Sequence, residues 1–170
     1  MQLETDRLLI RYFRDEDLSR YAPIAKDPEV MKFLGGPQTD KEIEHYVNEM
    51  VELSKQGLGR FVVTLKDTEE LIGFCGYRPA GAYVDFGYRY ARHTWGQGFG
   101  LEAALAVREY GVTVLALDNI EAGAATENIA SIKILEQLGF RHREEVLFEG
   151  HPSIRFRDTL GLDDVAKSSR

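Results

Sequence analysis

Apolar and polar positions follow one another in patterns that predict one strand and then two helices in the first third of the chain. Apolar residues occupy nearly every position of residues 7–13, which predicts a buried strand. Apolar residues then recur at helical spacing in the segment before Pro28 and again after Thr39. Thr39 and Glu42 match a capping box, in which the side chain of each accepts a hydrogen bond from the backbone N–H of the other. The second helix should therefore begin at this pair, and it should end by Gly57.

The rest of the chain predicts six more strands and two more helices. Three strand-like segments are joined by short connections, so we expect them to pair as antiparallel neighbours: residues 60–66, 71–78 and 83–90. A helix to Tyr110 follows, and then a short strand, a helix and two strands at residues 120–123, 128–138, 143–149 and 154–162. The order βααβββαβαββ predicts an α/β protein with a mixed, mostly antiparallel sheet.

A glycine-rich segment separates the strand at residues 83–90 from the next helix. Gly96, Gly98 and Gly100 alternate with other residues there. Glycine has no Cβ, so the backbone can approach a ligand closely, and a helix N-terminus directs unpaired N–H groups at an anion. This segment therefore predicts a site for the phosphate or pyrophosphate of a cofactor.

Two nucleotide-binding motifs compete for the glycine-rich segment. A P-loop requires a lysine followed by serine or threonine after the glycines, and this chain has no such pair there. Residues 98–103 satisfy the dinucleotide fingerprint, and Asp118 or Glu121 lies about 20 residues further on. That fold needs repeated strand–helix–strand crossovers, whereas the preceding strands here are joined as hairpins. A small NAD-binding oxidoreductase is therefore the lesser alternative.

Length and composition indicate a single globular domain. The 170 residues are 44% apolar and 29% charged, and we expect residues 1–164 to form one domain and residues 165–170 a flexible tail. No segment approaches the roughly 18 apolar residues of a membrane-spanning helix, and the polar start is unlike a signal peptide. We therefore expect a cytoplasmic protein that does not contact membranes.

Charge and cysteine content narrow the chemistry further. Cys75 is the single cysteine, so no internal disulfide can form, and no cluster of metal ligands is recognisable, so we expect no metal. The net charge of −7 argues against non-specific binding of nucleic acid, which relies on a basic surface. The same charge is compatible with a cationic substrate such as an amine.

Four segments resemble one enzyme family in the correct order. Residues 95–100 resemble the acetyl-CoA loop of the GNAT superfamily of N-acetyltransferases. Residues 5–11, 127–131 and 135–140 resemble the opening, helix-start and helix-end motifs of its RimJ/RimL-like branch, which acetylates the N-termini of ribosomal proteins. Trp95 stands where much of the superfamily has glutamine or arginine, and this branch commonly carries tryptophan there.

The resemblance covers most of the chain and implies both a fold and a cofactor site. It implies a seven-stranded mixed sheet whose fourth and fifth strands part, so that the pantetheine arm of acetyl-CoA enters between them. It assigns the arm to the backbone of Tyr88, Arg89 and Tyr90 and to Asn128. It assigns the phosphates to Arg92 and to the N–H groups of Gln97, Gly98, Phe99, Gly100 and Leu101.

Acyl transfer to an amine needs a neutral amine, a polarised carbonyl and a route for protons. Many relatives protonate the leaving thiolate with a tyrosine whose matching position here is Leu135. Ser131 shares a helical face with Leu135 and is the candidate acid, although a serine bonded to its own helix is the alternative. Asp85 is the candidate base, and a solvated edge residue is its alternative.

The resemblance thus implies an N-acetyltransferase that moves an acetyl group from acetyl-CoA to a primary amine by direct transfer in a ternary complex. The acceptor is a protein N-terminal α-amine or a small-molecule amine. A lysine costs about 3.3 kcal/mol more to neutralise than an α-amine, so the absence of an evident base favours α-amine-like acceptors. A non-catalytic acyl-CoA-binding module is the alternative, because the tyrosine acid is missing. Relatives pair through their C-terminal strands, so a homodimer stays open.

Overall fold

The structure, a computed structural model, describes residues 1–159 as one mixed sheet with helices on both faces. The strands are β1 (Gln2–Glu4), β2 (Leu8–Tyr12), β3 (Arg60–Leu65), β4 (Leu71–Ala80), β5 (Tyr83–Tyr90), β6 (Ile120–Ala125), β7 (Phe140–Phe148) and β8 (His151–Asp158). The helices are α1 (Asp17–Lys26), α2 (Asp40–Ser54), α3 (Phe99–Thr113) and α4 (Ile129–Gln137), with a 3₁₀ turn at Arg92–Thr94. This architecture confirms the mixed α/β class.

The sheet has eight strands within residues 1–159, so the prediction of seven was wrong in number. The additional strand, β1, pairs antiparallel with β2, where Leu3 lies opposite Ile10. A three-residue strand with one apolar residue has no recognisable pattern by itself, because the neighbouring strand supplies its stability. The predicted end of the last strand, at residue 162, and the predicted tail at 165–170 lie outside the described residues.

The sheet order is β1-β2-β3-β4-β5-β6-β8-β7, and every neighbouring pair is antiparallel except β5 and β6. The parallel pair is short, because only Val84 with Ile120 and Asp85 with Glu121 are in register. Beyond these two pairs β5 and β6 separate, and a gap opens toward the segment that leads into α3. The resemblance places the parted strands here.

Two apolar clusters hold the helices to opposite faces of the sheet. Helices α3 and α4 pack on the first cluster, which includes Leu8, Ile10, Phe61, Phe86, Val107, Leu135, Phe140 and Phe156. Helices α1 and α2 pack on the second, which includes Phe13, Tyr21, Ile43, Val47, Met50, Val62 and Phe74. Both hydrogen bonds of the predicted capping box at Thr39 and Glu42 are present. Within residues 1–159 no helix has the length and apolar content to cross a membrane.

Gly111 on α3 allows Tyr77 of β4 to lie against the helix. The Tyr77 hydroxyl donates to Val107 O at 3.0 Å, and a Cβ on Gly111 would overlap the Tyr77 ring. Replacing Gly111 with alanine should lower the free energy of unfolding by about 1–3 kcal/mol, because overpacking displaces Tyr77. This figure is the net loss, after the gain in helix propensity of about 1 kcal/mol has been subtracted. Urea unfolding measures the change, and an undiminished free energy would contradict the prediction. Gly123→Ala is the control, because a Cβ there meets no atom within 4 Å.

Candidate active site

Successive residues of β5 direct their backbone groups to opposite sides of the strand. Val84 N–H donates to Asn119 O at 2.9 Å, on the β6 side, and Ala91 N–H donates to Ile72 O at 2.8 Å, on the β4 side. Because these directions alternate along a strand, the even-numbered residues of β5 face the gap and the odd-numbered residues face β4.

The edge of the gap is therefore formed by the backbone of Phe86, Tyr88 and Tyr90. Beyond Asp85 this edge has no partner strand in the register of β5 with β6. The carbonyl of Tyr90 accepts a hydrogen bond from Trp95 Nε1 at 2.9 Å, which anchors the following loop to the strand. The parallel pairing of Asp85 with Glu121 uses the N–H of Phe86. The C=O of Phe86 and the N–H and C=O groups of Tyr88 therefore face the gap, where an extended ligand could pair with them as a strand would.

Arg89 is not brought to the gap, although the sequence predicted its backbone there. Its carbonyl faces β4, directly against Gly73, and its side chain lies on the α1–α2 face. There the guanidinium donates to the hydroxyl of Tyr21 and to Gln38 Oε1. The cause is the alternation of the strand, because one position along β5 reverses both the backbone and the side-chain direction.

The glycine-rich segment ends in a helix N-terminus with unpaired donors. Gly98 is the N-cap of α3 and has a φ of +82°, and Glu102 N–H makes the first intrahelical bond, to Gly98 O at 3.1 Å. The N–H groups of Phe99, Gly100 and Leu101 precede that bond and stay available for an anion. The sequence predicts that the phosphates bind these N–H groups together with those of Gln97 and Gly98.

Gly100 has a packing role that the sequence did not reveal. A Cβ there would lie 3.2 Å from Ile134 Cδ1 and 3.2 Å from Tyr90 Cε2. A larger residue at this position would therefore push α3 away from β5 and α4 as well as crowd the predicted phosphate site.

A buttress below the loop joins the start of β2 to α3. Arg7 Nε donates to Glu102 Oε2 at 2.7 Å, and Arg7 Nη1 donates to Gln97 O at 3.0 Å. Thr5 Oγ1 donates to the other Glu102 oxygen at 2.5 Å, and the Arg7 guanidinium lies 4.2 Å from the centroid of the Phe99 ring. Burial favours a higher pKa for Glu102, but the hydrogen bonds from Thr5 and Arg7 outweigh it and hold the pKa below its usual value.

Sequence reasoning missed the role of Arg7 and Glu102. Thr5 and Arg7 were noted only as part of the resembling segment 5–11, and Glu102 only beside the loop. The sequence shows only that polar residues stand next to a buried strand. Their role cannot be inferred from that, because their partner Glu102 reaches them only when α3 packs against β2. The structure shows that this motif holds the glycine loop in place.

Arg92, a predicted phosphate ligand, lies at the exposed start of the loop. Its Nε is 3.4 Å from Asp27 Oδ2, at the end of α1. To reach a phosphate at the N-terminus of α3 this side chain would have to leave Asp27.

A hydroxyl pair spans from β5 to the first turn of α4. Tyr88 Oη lies 2.9 Å from Ser131 O and 3.0 Å from Ser131 Oγ. A carbonyl only accepts, so Tyr88 donates to Ser131 O and the Ser131 hydroxyl donates to Tyr88 Oη. Burial raises the pKa of Tyr88, and the hydrogen bond from Ser131 opposes this. Asn128 caps α4, with its Oδ1 accepting from Ser131 N–H at 3.2 Å.

The side chain of Tyr88 is a candidate that sequence reasoning missed, because only its backbone was considered. The tyrosine of many relatives would come from position 135, and Leu135 is buried in the core. The hydroxyl of Tyr88 nevertheless reaches α4, although Tyr88 lies on the strand β5 and not on the helix.

Asp85 lies at the closed end of the gap on the face opposite to Tyr88. Arg60 Nη2 donates to Asp85 Oδ2, while Arg60 Nη1 donates to Gly76 O at 2.8 Å. Glu121 lies directly opposite Asp85 on β6. In the sequence analysis it appeared only as the acidic residue of a dinucleotide motif. Glu121 is buried and bound by Arg143. Two carboxylates, each held by an arginine, therefore flank the point where β5 and β6 part.

The comparisons with known proteins identify the family. The family model of the acetyltransferase (GNAT) domain matches residues 7–141. The chain belongs to the GNAT family of acetyltransferases. It is 37% identical over 145 residues to an uncharacterized N-acetyltransferase of Bacillus licheniformis, p20, with 82% of each chain covered.

Solved acetyltransferase structures share the GNAT fold described here. The ribosomal-protein-S5-alanine acetyltransferase of Vibrio fischeri superposes with a TM-score of 0.78 at 21% identity, covering 92% of this chain and 95% of that one. The spermidine N-acetyltransferase of Vibrio cholerae, solved with CoA and spermine, superposes with a TM-score of 0.78 at 20% identity, covering 93% and 99%. At these identities the likeness shows the fold alone.

Proposed function

We propose that this GNAT protein transfers an acetyl group from acetyl-CoA to a primary amine in a ternary complex. The observation that carries the proposal is the gap between β5 and β6, which runs from an unpaired strand edge to the unpaired N–H groups at the start of α3. A ligand with an anionic end and an extended amide arm fits both features at once.

The cofactor contacts follow from this geometry. The pyrophosphate binds the N–H groups of residues 97–101, and the pantetheine arm pairs with the backbone of Phe86, Tyr88 and Tyr90. The side-chain amide of Asn128, whose oxygen caps α4, offers its NH₂ to the arm. The buttress of Arg7 and Glu102 keeps the loop in position before the cofactor arrives.

The acceptor amine reaches the thioester from the face that carries Asp85. The amine nitrogen attacks the carbonyl, a C–N bond forms, the C–S bond breaks, and the sulfur leaves as a thiolate. The N–H of Tyr88 holds the developing oxyanion. The proton lost by the amine passes to the Asp85 oxygen that Arg60 does not bind, directly or through water.

The departing sulfur receives its proton from the hydroxyl pair. For this step both hydroxyls rotate: Ser131 Oγ–H turns from Tyr88 Oη to the sulfur and protonates it, and the phenol of Tyr88 turns from Ser131 O to Ser131 Oγ and gives up its proton. The charge comes to rest on a tyrosinate, which solvent then reprotonates. The phenol is a much stronger acid than an aliphatic hydroxyl, so the pair is a better donor than Ser131 alone. The pair takes the place of the tyrosine that is absent at Leu135.

The acceptor is a protein N-terminal α-amine or a small-molecule amine. The resemblance of residues 5–11 to the RimJ/RimL-like branch and the fold shared with a ribosomal-protein acetyltransferase support the first. The fold shared with a spermidine acetyltransferase keeps small amines in consideration.

Calorimetric titration with acetyl-CoA, with NADH as a parallel ligand, tests the proposal. We expect binding of acetyl-CoA in the micromolar range and no binding of NADH, followed by release of free thiol when an amine panel is added. Absence of acetyl-CoA binding would overturn the cofactor site. Tight binding without turnover of any amine would instead establish the non-catalytic module.

A further inference from the structure

One face of the C-terminal strands carries a concentration of arginines that none of the helices within residues 1–159 covers. Helix α4 packs on the opposite face of β6, β7 and β8, through Leu135 and Leu138, while α1 and α2 pack against the other half of the sheet. We call this uncovered surface the arginine face, and it comprises Arg141, Arg143, Arg155, Arg157, Glu121 and Glu144.

Strand register places these side chains together. Arg157 lies opposite Glu121 on β6 and opposite Arg141 on β7, and Arg155 lies opposite Glu144. Side chains of directly opposed residues project from the same face of a sheet. The arginine face therefore begins at Glu121, where β5 and β6 part, and extends outward to β7.

The charges on this face do not balance. Arg143 binds Glu121, and Arg155 lies between two carboxylates, with its Nη1 2.7 Å from Glu144 Oε1 and its Nε 3.8 Å from Glu121 Oε2. Arg157 donates to the neutral amide oxygen of Asn119 at 2.7 Å. Arg141 has no ion-pair partner among residues 1–159, and it lies opposite Arg157, although like charges directly opposed across two strands are destabilising. The face is short of anions in a chain whose net charge is −7.

Open space lies over this face at its boundary with the gap. Gly123, in the middle of β6, is paired with Arg155, and a Cβ on it would meet nothing within 4 Å. Glycine inside a strand commonly marks the close approach of a ligand or another backbone. Neighbouring strands are about 4.8 Å apart, so the backbone of Arg155 lies about one strand spacing from this open position.

We infer that the preferred acceptor is a primary amine that carries a carboxylate a few bonds from its nitrogen. The inference rests on the proposed function, because it places the amine at the gap beside Asp85. The carboxylate then lies over Gly123, within reach of Arg155, Arg157 and Arg141. A polyamine, which carries only positive charges, would meet the same arginines unfavourably.

Matched pairs of acceptors test this inference through kcat/KM. Each pair is an amino acid and its carboxamide, and spermidine is the polycationic acceptor for comparison. Peptides with an acidic second residue, compared with their amide counterparts, separate protein N-termini from free amino acids. We expect carboxylates to exceed their carboxamides by about tenfold or more, as loss of a charge-assisted hydrogen bond implies. The amine of a carboxamide is less basic than that of the free amino acid, so a larger fraction of it is neutral and able to react. Intrinsic reactivity therefore favours the carboxamide and opposes the expected preference. Equal values within pairs, or a preference for spermidine, would overturn the inference.

Two variants assign the preference to the arginine face. Arg155→Gln and Arg141→Gln should each reduce the ratio of carboxylate to carboxamide several-fold, with unchanged affinity for acetyl-CoA. Arg141 is exposed and has no ion-pair partner among residues 1–159, so its replacement should not disturb folding. Arg14→Gln, an exposed arginine beside Glu16, is the control and should keep the ratio. An unchanged ratio in both test variants would overturn the assignment, whereas absence of acetyl-CoA binding would instead remove the proposed function.

Discussion

Replacing Gly98 with valine should weaken acetyl-CoA binding by at least tenfold and should reduce turnover in proportion. Gly98 has a φ of +82°, a conformation that costs a non-glycine residue of order 1–3 kcal/mol and a β-branched residue most. The loop would relieve this strain by rotating, which would turn the N–H groups of Phe99 and Gly100 away from the phosphates. A Cβ on Gly98 would also lie 3.4 Å from Arg7 Nη2, so the buttress would be disturbed.

Gly81→Val is the matched control for this prediction. Gly81 lies in the turn between β4 and β5 and has a φ of +71°, and a Cβ on it would meet nothing within 4 Å. The control therefore carries a similar backbone penalty at the other end of β5. We expect both variants to melt at lower temperature than the wild type, with calorimetry showing loss of acetyl-CoA affinity only in Gly98→Val. Equal affinity in the two variants would contradict a phosphate-binding loop.

Removing either hydroxyl of the pair, in Ser131→Ala or Tyr88→Phe, should lower kcat by about tenfold to a hundredfold and leave acetyl-CoA affinity unchanged. A positioned general acid contributes on the order of 10²–10⁴ in rate, and solvent partly replaces it. Because the two hydroxyls act as one donor, the double variant should be little worse than either single variant.

The pH dependence of the wild-type enzyme follows from the protonation state of Tyr88. Burial raises the pKa of Tyr88 above its usual value near 10, so the phenol stays protonated through the range in which an α-amine loses its proton. Wild-type kcat/KM should therefore rise with pH and hold its plateau to about pH 10. Tyr110→Phe, which removes a hydroxyl on α3, is the control and should retain kcat. Equal loss of cofactor affinity and kcat in Ser131→Ala would mean that Ser131 supports the helix only.

Local patterns were sufficient for most elements and for the cofactor loop. The capping box at Thr39, the strand at β5 and the glycine-rich start of α3 are specified by neighbouring residues, because caps, alternation and positive φ are local properties. The short strand β1 was not predicted, because its three residues are ordered by pairing with β2 and not by a local pattern.

The sequence by itself therefore determined the order of the elements from β2 onward and the GNAT resemblance, and it predicted the position of an anion site. Only the tertiary structure decided which groups meet there. Arg7 reaches Glu102 across 95 positions, and Tyr88 reaches Ser131 across 43. The register of β5 directs the backbone of Tyr88 into the gap and that of Arg89 away from it. Such contacts depend on strand register and on the packing of distant elements. A shift of one residue in the register would turn every side chain of the strand to the opposite face of the sheet.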